Sequence, residues 1–151
     1  MAKLGKISDE NQKLVDEVIV KTGLNNYMNI RCLSIAKQKP VIKVSRANAT
    51  TEYVGKLSDT VFLYIKENVF DMLETPQKIM VVQDALSQVS YDFEKDKILI
   101  TKPEICVGLE SYRIYGESII KTMEAAYMAQ QAIDEAEREK KAAERENKKK
   151  K

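Results

Sequence analysis

The stretch TVFLYIK, residues 60–66, decides the fold of this chain. It is β-branched and aromatic and almost wholly apolar, which predicts a strand buried on both faces. The next residues, ENVFDML at 67–73, predict a short helix. A longer helix is predicted to begin at Thr75-Pro76, with a capping hydroxyl and a proline at its first position, and to run to about Ser90. Its apolar residues recur every three or four positions and indicate a face packed on the core: Ile79, Val82, Leu86 and Val89.

Upstream of this stretch, the sequence predicts one helix and two strands. Ser8 is a suitable cap for a helix that runs to about Thr22, and Gly23 is its stop. The segments NIRCLSIAKQ (29–38) and PVIKVSRA (40–47) predict strands, and the second tolerates its proline because this lies at the strand's start. The segment NATTEYVGKLSD (48–59) predicts a loop with a short helical turn.

Downstream, SYDFEKDKILITKP (90–103) predicts a β-hairpin around a charged turn, followed by helices over 104–115 and from 117 onward, with Gly116 between them. We therefore expect an α+β fold. It has a small mixed sheet of about four to five strands, including the hairpin, packed with helices, and a long charged C-terminal helix. The expected division is one domain over 1–133 and a charged, helical or frayed tail over 134–151.

The composition limits the chemistry that this chain can perform. The 151 residues are 44% hydrophobic, carry a net charge of +2 and include no histidine. The absence of histidine excludes a Ser-His-Asp triad, a Cys-His pair and every zinc site that needs imidazole. The two cysteines, Cys32 and Cys106, form no Cys-x-x-Cys motif and are expected to be reduced thiols. No secretory h-region or apolar run of ~20 residues occurs, so a cytoplasmic protein is expected. Without histidine and without a Cys-x-x-Cys motif, the protein is expected to have no metal, and no cofactor is expected either.

The order of segments between residues 59 and 115 resembles that of the phage metallopeptidase family. A buried strand, TVFLYIK, precedes NVFDMLETPQKIMVVQDALSQVSYD, and then come KILITKPEI and SYRIYG. In that family the helix after the strand bears His-Glu-x-x-His, and Lys-Pro-Asp-like and Arg-Tyr-Gly-like segments follow. The resemblance implies a metallopeptidase-like α+β scaffold, and zinc peptidase activity where the motif is complete.

The motif itself is degenerate in this chain. The resemblance places Asp84 on the first histidine, Ala85 on the general-base glutamate and Gln88 on the second histidine. Alanine cannot accept a proton, and aspartate with an amide is a poor pair for zinc. The resemblance thus implies the fold without the activity. Three interpretations of Asp84 and Gln88 stay open: solvated surface positions, a vestigial cleft reused for binding, and a weak metal site.

Other charged and apolar groups suggest further sites. Four basic residues near the two upstream strands are candidates for nucleic-acid contacts: Lys37, Lys39, Lys43 and Arg46. Glu104 and Glu110 are candidate acid/base carboxylates, although surface ion pairing also explains them. A short heptad-like seam on the last helix favours either packing on the domain or docking on a partner: Ile119, Met123, Ala126, Gln130 and Ile133.

Three functions follow from these features. The first is a non-catalytic, phage-encoded accessory protein on a degenerate metallopeptidase-like scaffold, which acts in the host cytoplasm by binding a phage or host protein. The alternative is a nucleic-acid-binding module that uses the basic strand residues and the terminal lysines. The third is a metal-dependent enzyme based on carboxylates. No membrane partner is expected.

Overall fold

A computed structural model describes residues 3–56 and 59–149, and the side chains of these residues up to 147. The chain divides into two compact units, Met1–Lys102 and Pro103–Lys151. Six strands lie in the first unit: β1 (Leu4–Gly5), β2 (Asn29–Ile35), β3 (Ile42–Arg46), β4 (Thr60–Ile65), β5 (Val89–Asp92) and β6 (Lys97–Ile100). The helices are α1 (Asp9–Thr22), α2 (Ala49–Gly55), α3 (Glu67–Phe70), α4 (Thr75–Ser87), α5 (Leu109–Tyr115) and α6 (Glu117–Lys149), with a 3₁₀ turn at Leu24–Asn26.

The fold class is α+β, as predicted, but the described strands form two sheets rather than one. The larger sheet has the order β1-β2-β4-β3, and β5 and β6 form a separate hairpin. Strands β2 and β4 are parallel, and the other pairs are antiparallel. The hairpin joins the sheet through packing instead of a strand ladder: Met28, Val61, Val89 and Ile98 form a second buried cluster.

Strand β4 is fully buried along one face, whereas on the other face only Thr60 is fully buried, so the prediction of burial on both faces holds only in part. Val61, Leu63 and Ile65 are 0% exposed, whereas Phe62 and Tyr64 on the other face are only half-buried. The reason is that both long helices of this unit, α1 and α4, pack on the same face of the sheet. Their side chains share the main core cluster with the strand: Val15, Val18, Ile19, Leu63, Ile65, Val82 and Leu86.

The first helix begins and ends as predicted. The Ser8 hydroxyl accepts a hydrogen bond from the Asn11 amide, and Gly23 ends the helix in the left-handed region at φ 74°. Helix α4 differs at both ends. Its N-cap is Glu74, which forms a capping box with Gln77, so Thr75 is the first helical residue instead of the cap. It ends at Ser87, short of Ser90, because Val89 already pairs with β6.

The C-terminal unit consists of α5 packed against α6. Helix α5 begins at Leu109, later than the predicted residue 104, because Gly108 has an extended backbone with φ −70° and ψ 142°. The break at Gly116 is present. Residue 134, where the charged tail is expected to begin, lies inside helix α6, so the described part of this tail is helical. None of the helices in the described residues is long and apolar enough to cross a membrane.

Candidate functional site

The three positions of the degenerate motif lie in different surroundings at the end of α4. Asp84 is exposed, and its backbone carbonyl accepts a hydrogen bond from the Ser87 hydroxyl at 2.6 Å. Ala85 is only 4% exposed and belongs to the buried core. Gln88 is the half-buried C-cap, and its carbonyl accepts a hydrogen bond from the Thr101 amide at 2.8 Å. The position of the general base therefore lies in the core and does not open onto solvent.

No cluster of metal ligands accompanies these positions. Among the described residues, no three cysteine, aspartate or glutamate side chains come together in a way that could hold a metal ion. Glu104 is exposed, and the exposed Glu110 forms an ion pair with Arg113 at 2.6 Å. Glu110 therefore has the surroundings of a surface ion-pairing residue, and such pairs contribute little to stability.

The four candidate nucleic-acid contacts do not form one surface. Lys37 and Lys39 are exposed in the loop between β2 and β3. Lys43 is exposed on β3, opposite Tyr64 of β4. The side chain of Arg46 lies instead on the face shared with Val61, where it pairs with Glu52 at 3.7 Å and donates to the Ile98 carbonyl at 3.4 Å. Arg46 is thus occupied by protein groups.

The sheet face opposite the helices combines aromatic and basic side chains, a feature that the sequence analysis missed. Phe62 and Tyr64 lie side by side with ring centroids 6.1 Å apart. The strand register places Arg31 of β2 beside Phe62 and Lys43 of β3 beside Tyr64. In β4 aliphatic residues alternate with aromatic ones, but all of them are apolar, so this pattern does not distinguish a strand buried on one face from one buried on both.

A network of polar side chains holds α1 to α3 and α4. Asn11, 2% exposed, donates from Nδ2 to Glu67 Oε1 at 3.0 Å and to Asp71 Oδ1 at 2.8 Å. Its Oδ1 accepts from Lys78 Nζ at 3.3 Å, and the Ser8 amide donates to Glu67 Oε1 at 2.8 Å. The donors and acceptors of Asn11 are all paired within this network, which accounts for the burial of a polar side chain between the helices.

Three aromatic rings form an exposed cluster beside the hairpin turn, hereafter the aromatic cluster: Tyr27, Tyr91 and Phe93. Tyr27 stacks on Tyr91 at 5.9 Å, and Phe93 meets both rings edge-on at 5.2 Å. Tyr27 is 49% exposed and Phe93 is 70% exposed. The Tyr91 hydroxyl donates to the Asp96 carboxylate. Tyr91 and Phe93 belong to the predicted hairpin, but no pattern in the sequence indicates that Tyr27 lies against them.

The Cys32 thiol does not have the surroundings of a reactive thiol. Burial, aided by the nearby Asp16 carboxylate and only partly opposed by a hydrogen bond from Gln12, raises the pKa of the Cys32 thiol to about 12. A thiol in this state is protonated and weakly nucleophilic at neutral pH. Cys106 is exposed in the other unit, and both cysteines are free.

The C-terminal unit has no interior of its own. Among residues 103–147, whose burial the structure describes, none is fully buried. Eight large apolar or aromatic side chains between residues 109 and 133 are exposed: Leu109, Tyr112, Ile114, Tyr115, Ile120, Met123, Met128 and Ile133. Such a density of exposed apolar groups is typical of an interaction surface.

Comparison with known proteins found no matching family model, no matching curated protein and no matching solved structure.

Proposed function

We propose that this chain is a non-catalytic, phage-encoded accessory protein that binds another protein through its C-terminal helical unit, on a metallopeptidase-like scaffold. One observation carries the proposal: eight large apolar or aromatic side chains of α5 and α6 are exposed on a unit without buried residues in its described part. When a partner covers this apolar surface and removes it from water, the free energy of the two helices with their partner falls.

The absence of catalysis in the proposal rests on the residues at the motif positions. The chain has no histidine, and Ala85 lies in the core where the resemblance expects the general-base glutamate. The scaffold in the proposal rests on the order of elements, in which β4 precedes α4 and the hairpin follows. Free thiols at Cys32 and Cys106 are in keeping with action in the reducing cytoplasm of an infected cell.

The test is affinity capture with two matched double variants. Three tagged full-length chains are each used to capture proteins from bacterial lysate, with and without nuclease treatment: the wild type, Met123→Ser/Ile133→Ser and Val20→Ser/Met80→Ser. All four positions are exposed, at 38%, 54%, 64% and 60%, so the substitutions should leave the fold intact. We expect a captured protein to be lost with the first variant and kept with the second. Capture that both variants retain, or that nuclease abolishes, would contradict the proposal.

A second candidate function, single-stranded nucleic-acid binding, is favoured by the open face of the sheet. Phe62 and Tyr64 offer stacking surfaces, and Arg31 and Lys43 lie beside them to contact phosphates. This candidate is tested by titrating labelled single-stranded DNA with Arg31→Ala/Lys43→Ala and with the loop variant Lys37→Ala/Lys39→Ala, which removes the same charge. Binding that is steeply salt-dependent and lost only in the first variant would favour it over protein docking.

A further inference from the structure

The aromatic cluster is exposed to a degree that folding does not explain. Phe93 leaves 70% of its surface in water at the hairpin turn, although the neighbouring Tyr91 packs against the buried cluster that contains Val89 and Ile98. An exposed aromatic ring forgoes the hydrophobic free energy that burial would give it. Clustered aromatic side chains with exposed faces are typical anchors of protein interfaces.

The cluster is also held in place before any partner arrives. The Tyr91 hydroxyl is bonded to Asp96, and Asp92 Oδ1 accepts hydrogen bonds from the amides of Glu94 and Lys95 at 3.0 and 3.2 Å. These bonds fix the turn on which Phe93 lies. Ring-to-ring contacts restrict the aromatic side chains further, so that little conformational entropy is lost when a ligand binds.

The charges around the rings select the ligand. Four carboxylates lie at the hairpin turn or in the adjoining loop: Asp59, Asp92, Glu94 and Asp96. Two lysines, Lys95 and Lys97, lie at the same turn. The Asp59 carbonyl accepts a hydrogen bond from the Asn29 amide at 2.7 Å, which brings this aspartate beside the segment that carries Tyr27. The hydrogen bond to Asp96, with smaller contributions from desolvation and from the charges of Asp96 and Asp59, raises the pKa of Tyr91 to about 12. The cluster therefore lies in a negative environment.

We propose that the aromatic cluster and its carboxylates form a docking site for an arginine-containing, basic peptide segment of a partner protein. A guanidinium group stacks on aromatic faces and forms bidentate hydrogen bonds with carboxylates, so one side chain uses both features of the site. A nucleic-acid strand fits it poorly, because the carboxylates repel phosphates. This inference rests on the proposed function as protein binding, and it adds a second site, distant in sequence from the apolar side chains of α5 and α6, with a defined ligand chemistry.

The test uses the full-length chain and a fluorescein-labelled peptide of alternating Arg and Gly residues, with binding followed by fluorescence anisotropy. The variant is Phe93→Ala, and the matched control is Tyr53→Ala, whose ring on α2 is 89% exposed and lies outside the cluster. We expect Phe93→Ala to weaken binding roughly tenfold and Tyr53→Ala to leave it unchanged. The conservative variant Phe93→Tyr should keep the affinity, which separates loss of the ring from misfolding.

Comparison ligands make the charge argument falsifiable. A Glu-Gly peptide and an oligothymidylate should bind more weakly than the Arg-Gly peptide. The substitution Glu94→Gln should lower the affinity of the chain for the Arg-Gly peptide and make this affinity less dependent on salt concentration. Equal affinity of the wild type and Phe93→Ala for the Arg-Gly peptide, or tighter binding of the oligothymidylate, would overturn the inference. Neither result changes the outcome of the lysate capture experiment, which depends on Met123 and Ile133 of α6. Failure of the aromatic cluster as a docking site is therefore distinguishable from failure of the proposed function.

Discussion

The substitution Asn11→Ala should be among the most damaging polar substitutions in the N-terminal unit. Asn11 is 2% exposed and makes three hydrogen bonds, to Glu67, Asp71 and Lys78, over 2.8 to 3.3 Å. Each bond to a charged partner is worth about 1.5–3 kcal/mol. The full sum is not lost, because Lys78 still pairs with Asp71 at 3.7 Å and the side chain of Asp71 is 58% exposed to water.

We therefore expect Asn11→Ala to lower the free energy of unfolding by about 2–4 kcal/mol, measured by urea unfolding. The control is Asn68→Ala, an exposed asparagine on α3 in the same unit, which should change stability by less than about 0.5 kcal/mol. A loss of less than about 1 kcal/mol for Asn11→Ala would mean that water replaces its bonds without cost, and the account of the network would be wrong.

The same network predicts a dependence on pH. Partial burial acts to raise the pKa of the Glu67 carboxyl, but hydrogen bonds from Ser8, Asn11 and Ser34 outweigh it and hold the pKa below its ordinary value of 4.5. A carboxyl with a lowered pKa in the folded state stabilises the fold above the unfolded-state pKa, and this contribution is lost as the pH falls through the folded-state value. The effect of Asn11→Ala should therefore be larger near pH 6 than at a pH below the lowered pKa of Glu67, where this carboxyl is protonated. An equal loss at both pH values would refute the link between Asn11 and Glu67.

Four further outcomes are expected. Leu86→Ala should cost about 2–5 kcal/mol in urea unfolding because the side chain is 2% exposed, whereas exposed Asp84→Ala on the same helix should cost less than about 0.5 kcal/mol. Ala85→Glu should lower the melting temperature strongly, since it places an unpaired carboxylate in the core, and a variant as stable as the wild type would contradict that placement. Lys56→Gly should raise stability by about 0.5–1 kcal/mol, because Lys56 caps α2 with φ 49°, a conformation that glycine adopts without strain. Purified protein should carry no stoichiometric zinc after dialysis; one tightly bound zinc per chain in elemental analysis would revive the enzyme hypothesis.

The sequence predicted those elements whose signals are local. Ser8 and Gly23 define the ends of α1 through a cap and a left-handed stop, and both depend only on neighbouring residues. The predicted strands at 29–38 and 40–47 likewise contain β2 and β3. The residues of the hairpin were also recognised, from an apolar pattern around a charged turn.

The errors concern which element covers which surface. The sequence of residues 88–90 is compatible with a helix as well as a strand. Val89 lies in a strand because it pairs with Ile100, eleven positions further along the chain. Burial of β4 on one face follows from α1 and α4 packing on the same side, which no local pattern in TVFLYIK encodes. The approach of Tyr27 to the hairpin is likewise a tertiary contact between distant segments. The candidate sites were therefore less predictable than the elements that carry them.

The positions that fix the fold and those that suggest function alternate along the same strands. On β4, Val61, Leu63 and Ile65 are fully buried and account for the position of the strand, while Phe62 and Tyr64 project to the other face. A sheet face that serves only to contact water is stable with polar residues such as threonine, so aromatic rings there are not required by the fold. The same reasoning applies to exposed Phe93 in the hairpin turn and to the apolar side chains of α6. Folding free energy does not account for Phe93 and the exposed side chains of α6, so these are the positions at which the proposed binding is tested. Phe93→Ala and Met123→Ser/Ile133→Ser remove such side chains without touching the core.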